Sequence, residues 1–160
     1  MDDDFLKFKE EILARAKNAN ACKEQYRRAC KTETFGELMR VIKENFTFAC
    51  NKKVIDFELI KTYKNQFDEN KIFCNVNASE GFLLVSGNES AEASGNASVT
   101  ASGNATVIAS GNASVTAWDN ATVIASVNAS VMAWDNASVT ASGNATVIAS
   151  VNAKVTASCF

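Results

Sequence analysis

Trp118 and Trp134 lie sixteen residues apart, and each is followed by an aspartate, Asp119 and Asp135. A carboxylate pair can do acid–base work or hold a metal, provided that the fold brings the two together. Here each Asp precedes an Asn, and both are ordinary turn formers. The other reactive side chains give catalysis little support. The chain has no histidine, which removes the commonest general base and the commonest metal ligand. Cys22, Cys30, Cys50, Cys74 and Cys159 form an odd set at irregular spacing, without the close CxxC pairs of a zinc ribbon. They read as buried free thiols. There is no phosphate loop and no activated-cysteine signature. The expectation is therefore a protein that is not an enzyme and uses no cofactor and no metal. For binding, two tryptophans at a fixed spacing are the most suitable residues in the chain.

What must position them is a repeat. From Glu80 the chain falls into ten octads: EGFLLVSG, NESAEASG and then, from Asn96, NASVTASG, NATVIASG, NASVTAWD, NATVIASV, NASVMAWD, NASVTASG, NATVIASV and NAKVTASC. A fixed period over this length means a solenoid. Within an octad, Ala, Val and Ala alternate with Ser, Thr or Ile, as in Ala97, Val99 and Ala101. Alternation with β-branched residues predicts a strand with one buried face. The Ala-Val-Ala face hardly varies and should point inward. Gly, Asp or Val followed by Asn supplies the corner. Stacked coils would align the Asn residues, whose amides could then bond along the stack.

Two octads per coil give a flattened two-sheeted coil; three give a triangle. Residues 96–111 match 112–127 at 13 of 16 positions, whereas 118–133 match 142–157 at 12 of 16, so self-comparison does not decide. Core volume does. One Val flanked by two Ala fills only a thin space, and interiors are close-packed. The expected coil has sixteen residues, with about five coils in all. Alternate octads then share a sheet. One sheet carries Thr100, Thr116, Met132 and Ile148 at its outward mid-strand position, with Trp118 stacked on Trp134 beside them. The other carries Ile108, Ile124, Thr140 and Thr156. Trp118, Trp134, Met132 and Ile148 would form an apolar patch, the kind of surface that marks a partner site.

Residues 1–75 read as helical. Phe5, Leu6, Phe8, Ile12, Leu13 and Ala16 share one face. Cys22, Tyr26, Ala29 and Cys30 should point inward from a second helix over 21–31. Thr34 with Glu37 three residues on is a capping box opening a third helix to about Asn51. Asp56 caps a fourth carrying Phe57, Leu59, Ile60, Tyr63 and Phe67, and Lys71–Asn75 looks like an extended link. Residues 1–79 hold 13 acidic and 15 basic side chains; residues 80–160 hold 5 and 1. Arg27, Arg28 and Lys31 cluster at the end of the second helix and are partner-binding candidates. The near-neutral balance argues against direct nucleic-acid binding.

The fold class predicted is thus α+β: a small helical head, 1–75, capping a two-sheeted parallel β-solenoid (β-helix), 76–160. No apolar run is long enough to span a membrane, and the acidic MDDDFLKFKE start lacks the pattern of a secretory signal. Asn96, Asn104, Asn112, Asn120, Asn128, Asn136 and Asn144 open glycosylation sequons, but strands stacked about 4.8 Å apart leave no room for a glycan at each corner. A cytoplasmic location is expected. The last coil should pair with something, and Val151, Lys154, Thr156, Cys159 and Phe160 are candidates for a homodimer interface.

The NATVxA octads, joined to a head containing ACKEQYRRAC and ending NKIFCN, resemble uncharacterised proteins of Bacteroidetes genomes, their phages and mobile elements. The resemblance covers most of the chain. It implies a bacterial or phage-infected host and an inhibitor of a host defence complex, anti-CRISPR-like, acting on a host protein or ribonucleoprotein. Few carboxylates on the solenoid argue against a DNA mimic, and Thr rows broken by Ile and Met argue against an ice-matching face. The second expectation is a structural rod that self-associates through its solenoid end.

Overall fold

The computed structural model describes residues 2–158, in two compact units, Met1–Asn70 and Lys71–Phe160. The first unit is helical, with α1 (Asp3–Asn18), α2 (Lys23–Cys30), α3 (Phe35–Glu44), α4 (Phe46–Asn51), α5 (Phe57–Thr62) and α6 (Lys64–Glu69). Caps set three of the starts. Asp2 accepts from the Asp4 amide at 3.0 Å, Thr34 from Glu37 at 3.2 Å and Asp56 from Leu59 at 2.9 Å. The Glu37 carboxylate reaches back to the amide of Glu33 at 2.7 Å, one residue beyond the capping-box position.

Two helices expected to be continuous are broken. At Asn45 the side-chain amide donates to the Val41 carbonyl at 2.8 Å, while the Asn45 backbone N–H turns to Ile42 at 3.1 Å. A side chain that takes the helical acceptor ends the ladder there. At Tyr63 the break follows Thr62, whose hydroxyl donates to the Glu58 carbonyl at 2.8 Å. The interior is aromatic. Phe8 meets Tyr63 at 4.8 Å, Phe35 at 5.3 Å and Phe67 at 5.7 Å between ring centroids. Leu6, Phe57 and Cys30 are exposed, contrary to expectation, because each lies off its helix's buried face, and Cys22 is exposed at the N-cap of α2; Leu13 is half-buried, and Cys50 and Cys74 are buried.

The second unit is the solenoid. Ile72–Cys74 is not a link but a strand, β1, which moves the division between units ahead of residue 75. Ten octad strands follow: β2 (Phe82–Val85), β3 (Ser90–Ala93), β4 (Ser98–Ala101), β5 (Thr106–Ala109), β6 (Ser114–Ala117), β7 (Thr122–Ala125), β8 (Ser130–Ala133), β9 (Ser138–Ala141), β10 (Thr146–Ala149) and β11 (Lys154–Ala157). One sheet has the order β1-β2-β4-β6-β8-β10, the other β3-β5-β7-β9-β11, and all pairing is parallel. Val99 pairs with Val115 and Val107 with Val123, so each coil takes sixteen residues and the octads make about five coils. Ala97, Val99, Ala101 and their equivalents through Val139 are buried in one continuous core. Each fully buried Val contributes about 1.5–3 kcal/mol of apolar transfer free energy.

The corners are tight turns. Ala105 donates to Ser102 at 3.3 Å and Ala121 to Trp118 at 3.1 Å, and in these two turns the residue before Asn has a positive φ, filled by Gly103 at 64° or by Asp119 at 54°. The Asn backbone, more than its side chain, ties one coil to the next. Asn112 donates to Gly95 at 2.8 Å and Asn120 to Gly103 at 3.0 Å. A side-chain link of the expected ladder type joins Asn104 to Asn88 at 3.1 Å.

Candidate functional site

In the first-named sheet the mid-strand row runs Thr100, Thr116, Met132, Ile148, each directly paired with the next; contrary to expectation Thr100 and Thr116 are buried, and only Met132 and Ile148 are open to solvent. Trp118 and Trp134 follow β6 and β8 at the corner. Their backbones are held by bonds to Ala101 at 2.8 Å and Ala117 at 2.9 Å, which set the two rings one coil apart. The rings stack with centroids 5.5 Å apart and planes 14° from parallel. Trp134 is 41% exposed, Met132 44% and Ile148 63%, whereas Trp118 is half-buried. The Trp118 indole nitrogen is buried with no acceptor.

The neighbouring carboxylates do structural work. Asp119 accepts from the Gly103 amide at 3.0 Å, and Asp135 from the Asp119 amide at 3.3 Å. Each thereby satisfies the backbone of the coil before it. Among the described residues no cluster of three or more His, Cys, Asp or Glu could hold a metal ion. The same residues contain no helix long and apolar enough to cross a membrane.

The other candidates are separate from this patch. Arg27, Arg28 and Lys31 lie in the helical unit at the end of α2, all exposed. Arg28 is engaged, with its guanidinium 2.6 Å from Glu44 and 2.7 Å from the Gln25 side chain. Lys154 and Thr156 lie on β11, where all four residues are exposed, and Val151 projects fully into solvent before it. Cys159 and Phe160 lie outside the described residues.

Two apolar features were not singled out in the sequence. The helical unit holds a cavity of about 390 Å³ lined by Ile12, Tyr26, Leu38, Val41, Phe48 and Val54, among others. Phe48 is the readable signal, since it lies off the face of α4 that buries Phe46, Ala49 and Cys50. In the second sheet Ile108 and Ile124 pair with each other and are 44% and 45% exposed. They stand in the row read as outward, but without aromatic neighbours. No protein-family model matches the chain, and no curated protein and no solved structure matches it.

Proposed function

We propose that the chain is a non-enzymatic protein-binding protein that docks a larger macromolecule on the Trp118, Trp134, Met132 and Ile148 face. The observation that carries this is the stacked indole pair, in register with two exposed apolar side chains, on a sheet held rigid by its backbone ladder. Preorganised aromatic side chains dominate interface energetics because little side-chain freedom is lost on docking. A purely stabilising role suits the pair poorly. Burying the Trp118 indole N–H without an acceptor costs about 1–3 kcal/mol. Arg27, Arg28 and Lys31 on the helical unit are a second, separate candidate for partner contact, with Arg28 already paired to Glu44.

The resemblance of the octads and head to phage and mobile-element proteins implies a partner class: a host defence protein or ribonucleoprotein in the bacterial or phage-infected cytoplasm. In this reading the chain is an inhibitor, anti-CRISPR-like in kind, that occludes a surface. The test is capture from a host lysate by the chain and by a Trp118→Ala/Trp134→Ala variant. The chain should retain one large complex, and the variant should lose at least tenfold of it while keeping its β circular-dichroism signal. Equal capture by a folded variant would overturn the assignment of the patch.

A further inference from the structure

The two ends of the solenoid are built differently. At the first coil, β1 pairs along β2, and Phe73 takes the inward register position over Leu83, against the solenoid core. On the other sheet Ala78 bridges to Ala93. The Ala78 amide donates to Glu92 at 3.0 Å, and the Asn77 side chain accepts from the Glu92 amide at 2.9 Å. Residues 72–79 thus cover the edges of both β2 and β3 and lay an aromatic ring on the interior.

The last coil has no such cover among the described residues. Val155 occupies the inward position that Val139 fills in the preceding coil of its sheet, yet it is 46% exposed against 2% for Val139. Ala149 and Ala157 are exposed too. The backbone repeats the asymmetry. Lys154 and Ser158 donate to β9-sheet carbonyls Ala137 and Ala141, and Thr146 and Ser150 to Ala129 and Ala133. Alternation along a strand then turns the amides and carbonyls of Val147, Ala149, Val155 and Ala157 to the outer edge. No strand of the described residues lies beyond β10 or β11.

We propose that this end is occupied by the same end of a second copy, so that two chains form one longer solenoid. This stands independently of the Trp patch. The occupant must present two strand edges at the same separation, with an apolar strip between them, and the last coil of another copy does so by construction. Two-fold symmetry reverses the strands, so the junction is antiparallel in both sheets. Lys154 opens β11, and antiparallel pairing sends the two ammonium groups to opposite ends of the junction, away from each other. Head-to-tail growth is disfavoured because residues 72–79 leave at the other end only a three-residue strand and a single bridge in place of a full coil edge. The product is a closed dimer, not a filament.

The test is the mass of the full chain by sedimentation equilibrium in reducing buffer, with two variants. Ala157→Pro removes an outward-facing N–H without touching the bonds to β9, and Val155→Glu places a charge on the strip the partner covers. The chain should have the mass of two copies, and each variant the mass of one. The Trp118→Ala/Trp134→Ala variant should stay a dimer, which separates failure here from failure of the patch. Should Ala157→Pro unfold, Val155→Glu decides, together with the melting temperature of the unaltered chain, which rises with concentration only for a dimer. A folded single-copy mass for the unaltered chain, an open-ended series, or a dimer that survives both variants would overturn the proposal.

Discussion

The eighth residue of the octad carries the clearest stress in the molecule. Gly87, Gly95, Gly103, Gly111 and Gly143 hold positive φ there, as do Asp119, Asp135 and Val127, the last at 59°. Asp tolerates this region, and its carboxylate accepts an amide from the preceding coil; a β-branched Val has neither advantage. Val127→Gly should therefore raise stability by about 1 kcal/mol, seen as a higher urea midpoint. Gly111→Ala should lower it by about 1–2 kcal/mol, because φ is 62° and the new Cβ would lie 2.9 Å from the Gly95 nitrogen. Asp119→Asn keeps an acceptor oxygen and should change stability by no more than about 0.5 kcal/mol. A large loss there would instead assign the carboxylate charge a role. At this scale the sequence was informative: a sixteen-residue spacing placed Trp118 over Trp134 and Thr116 over Met132. It did not reveal the positive φ of Val127, which no local preference of valine signals.

Among elements, legibility followed the strength of the period. Eight near-identical octads after two degenerate ones left little freedom in strand position, and the thin Ala-Val-Ala face chose two sheets over three. The helices were harder. Apolar spacing continues across Asn45 and Tyr63, whereas the breaks come from hydrogen bonds by Asn45 and Thr62 side chains that periodicity does not report. β1 was missed for a related reason: KIFCN is too short to show alternation, and its pairing with β2 is the only thing that makes it a strand. The junction of α5 and α6 makes a pH prediction. Burial, then the carboxylates of Glu11 and Asp4, raise the Tyr63 phenol above its ordinary pKa. An acid held protonated in the fold leaves stability intact below the unfolded pKa of about 10 and removes it as pH rises through the folded value. Alkaline titration should loosen the helical unit from about pH 10 upward. Tyr63→Phe should flatten that dependence, followed by helical circular dichroism; an unchanged profile would place the alkaline loss elsewhere.

For the whole molecule, what matters is that a solenoid's stability is a sum of neighbour terms, so an uncovered end is where a further coil would add stability. Octads alone would give two complementary open ends and an unlimited stack. The short sequence Ile72-Phe73-Cys74 and the turn through Asn77 and Ala78 break that complementarity by covering the edges of β2 and β3, whereas among the described residues no strand lies beyond β10 or β11. The consequence is testable from the covered side. Phe73 faces β2 with its backbone and the core with its ring, so Phe73→Pro removes a ladder bond and the aromatic lid together. If β1 is what limits association, this variant should pass from a two-copy mass to a concentration-dependent series of larger species by light scattering. The strand edge of β2 would then be free to pair as an ordinary unprotected edge does. Retention of the two-copy mass by a folded Phe73→Pro chain would mean that the cover on β3, through Ala78 and Asn77, is sufficient by itself. The same substitution combined with Ala78→Pro, which removes the amide that reaches Glu92, would then have to release the block.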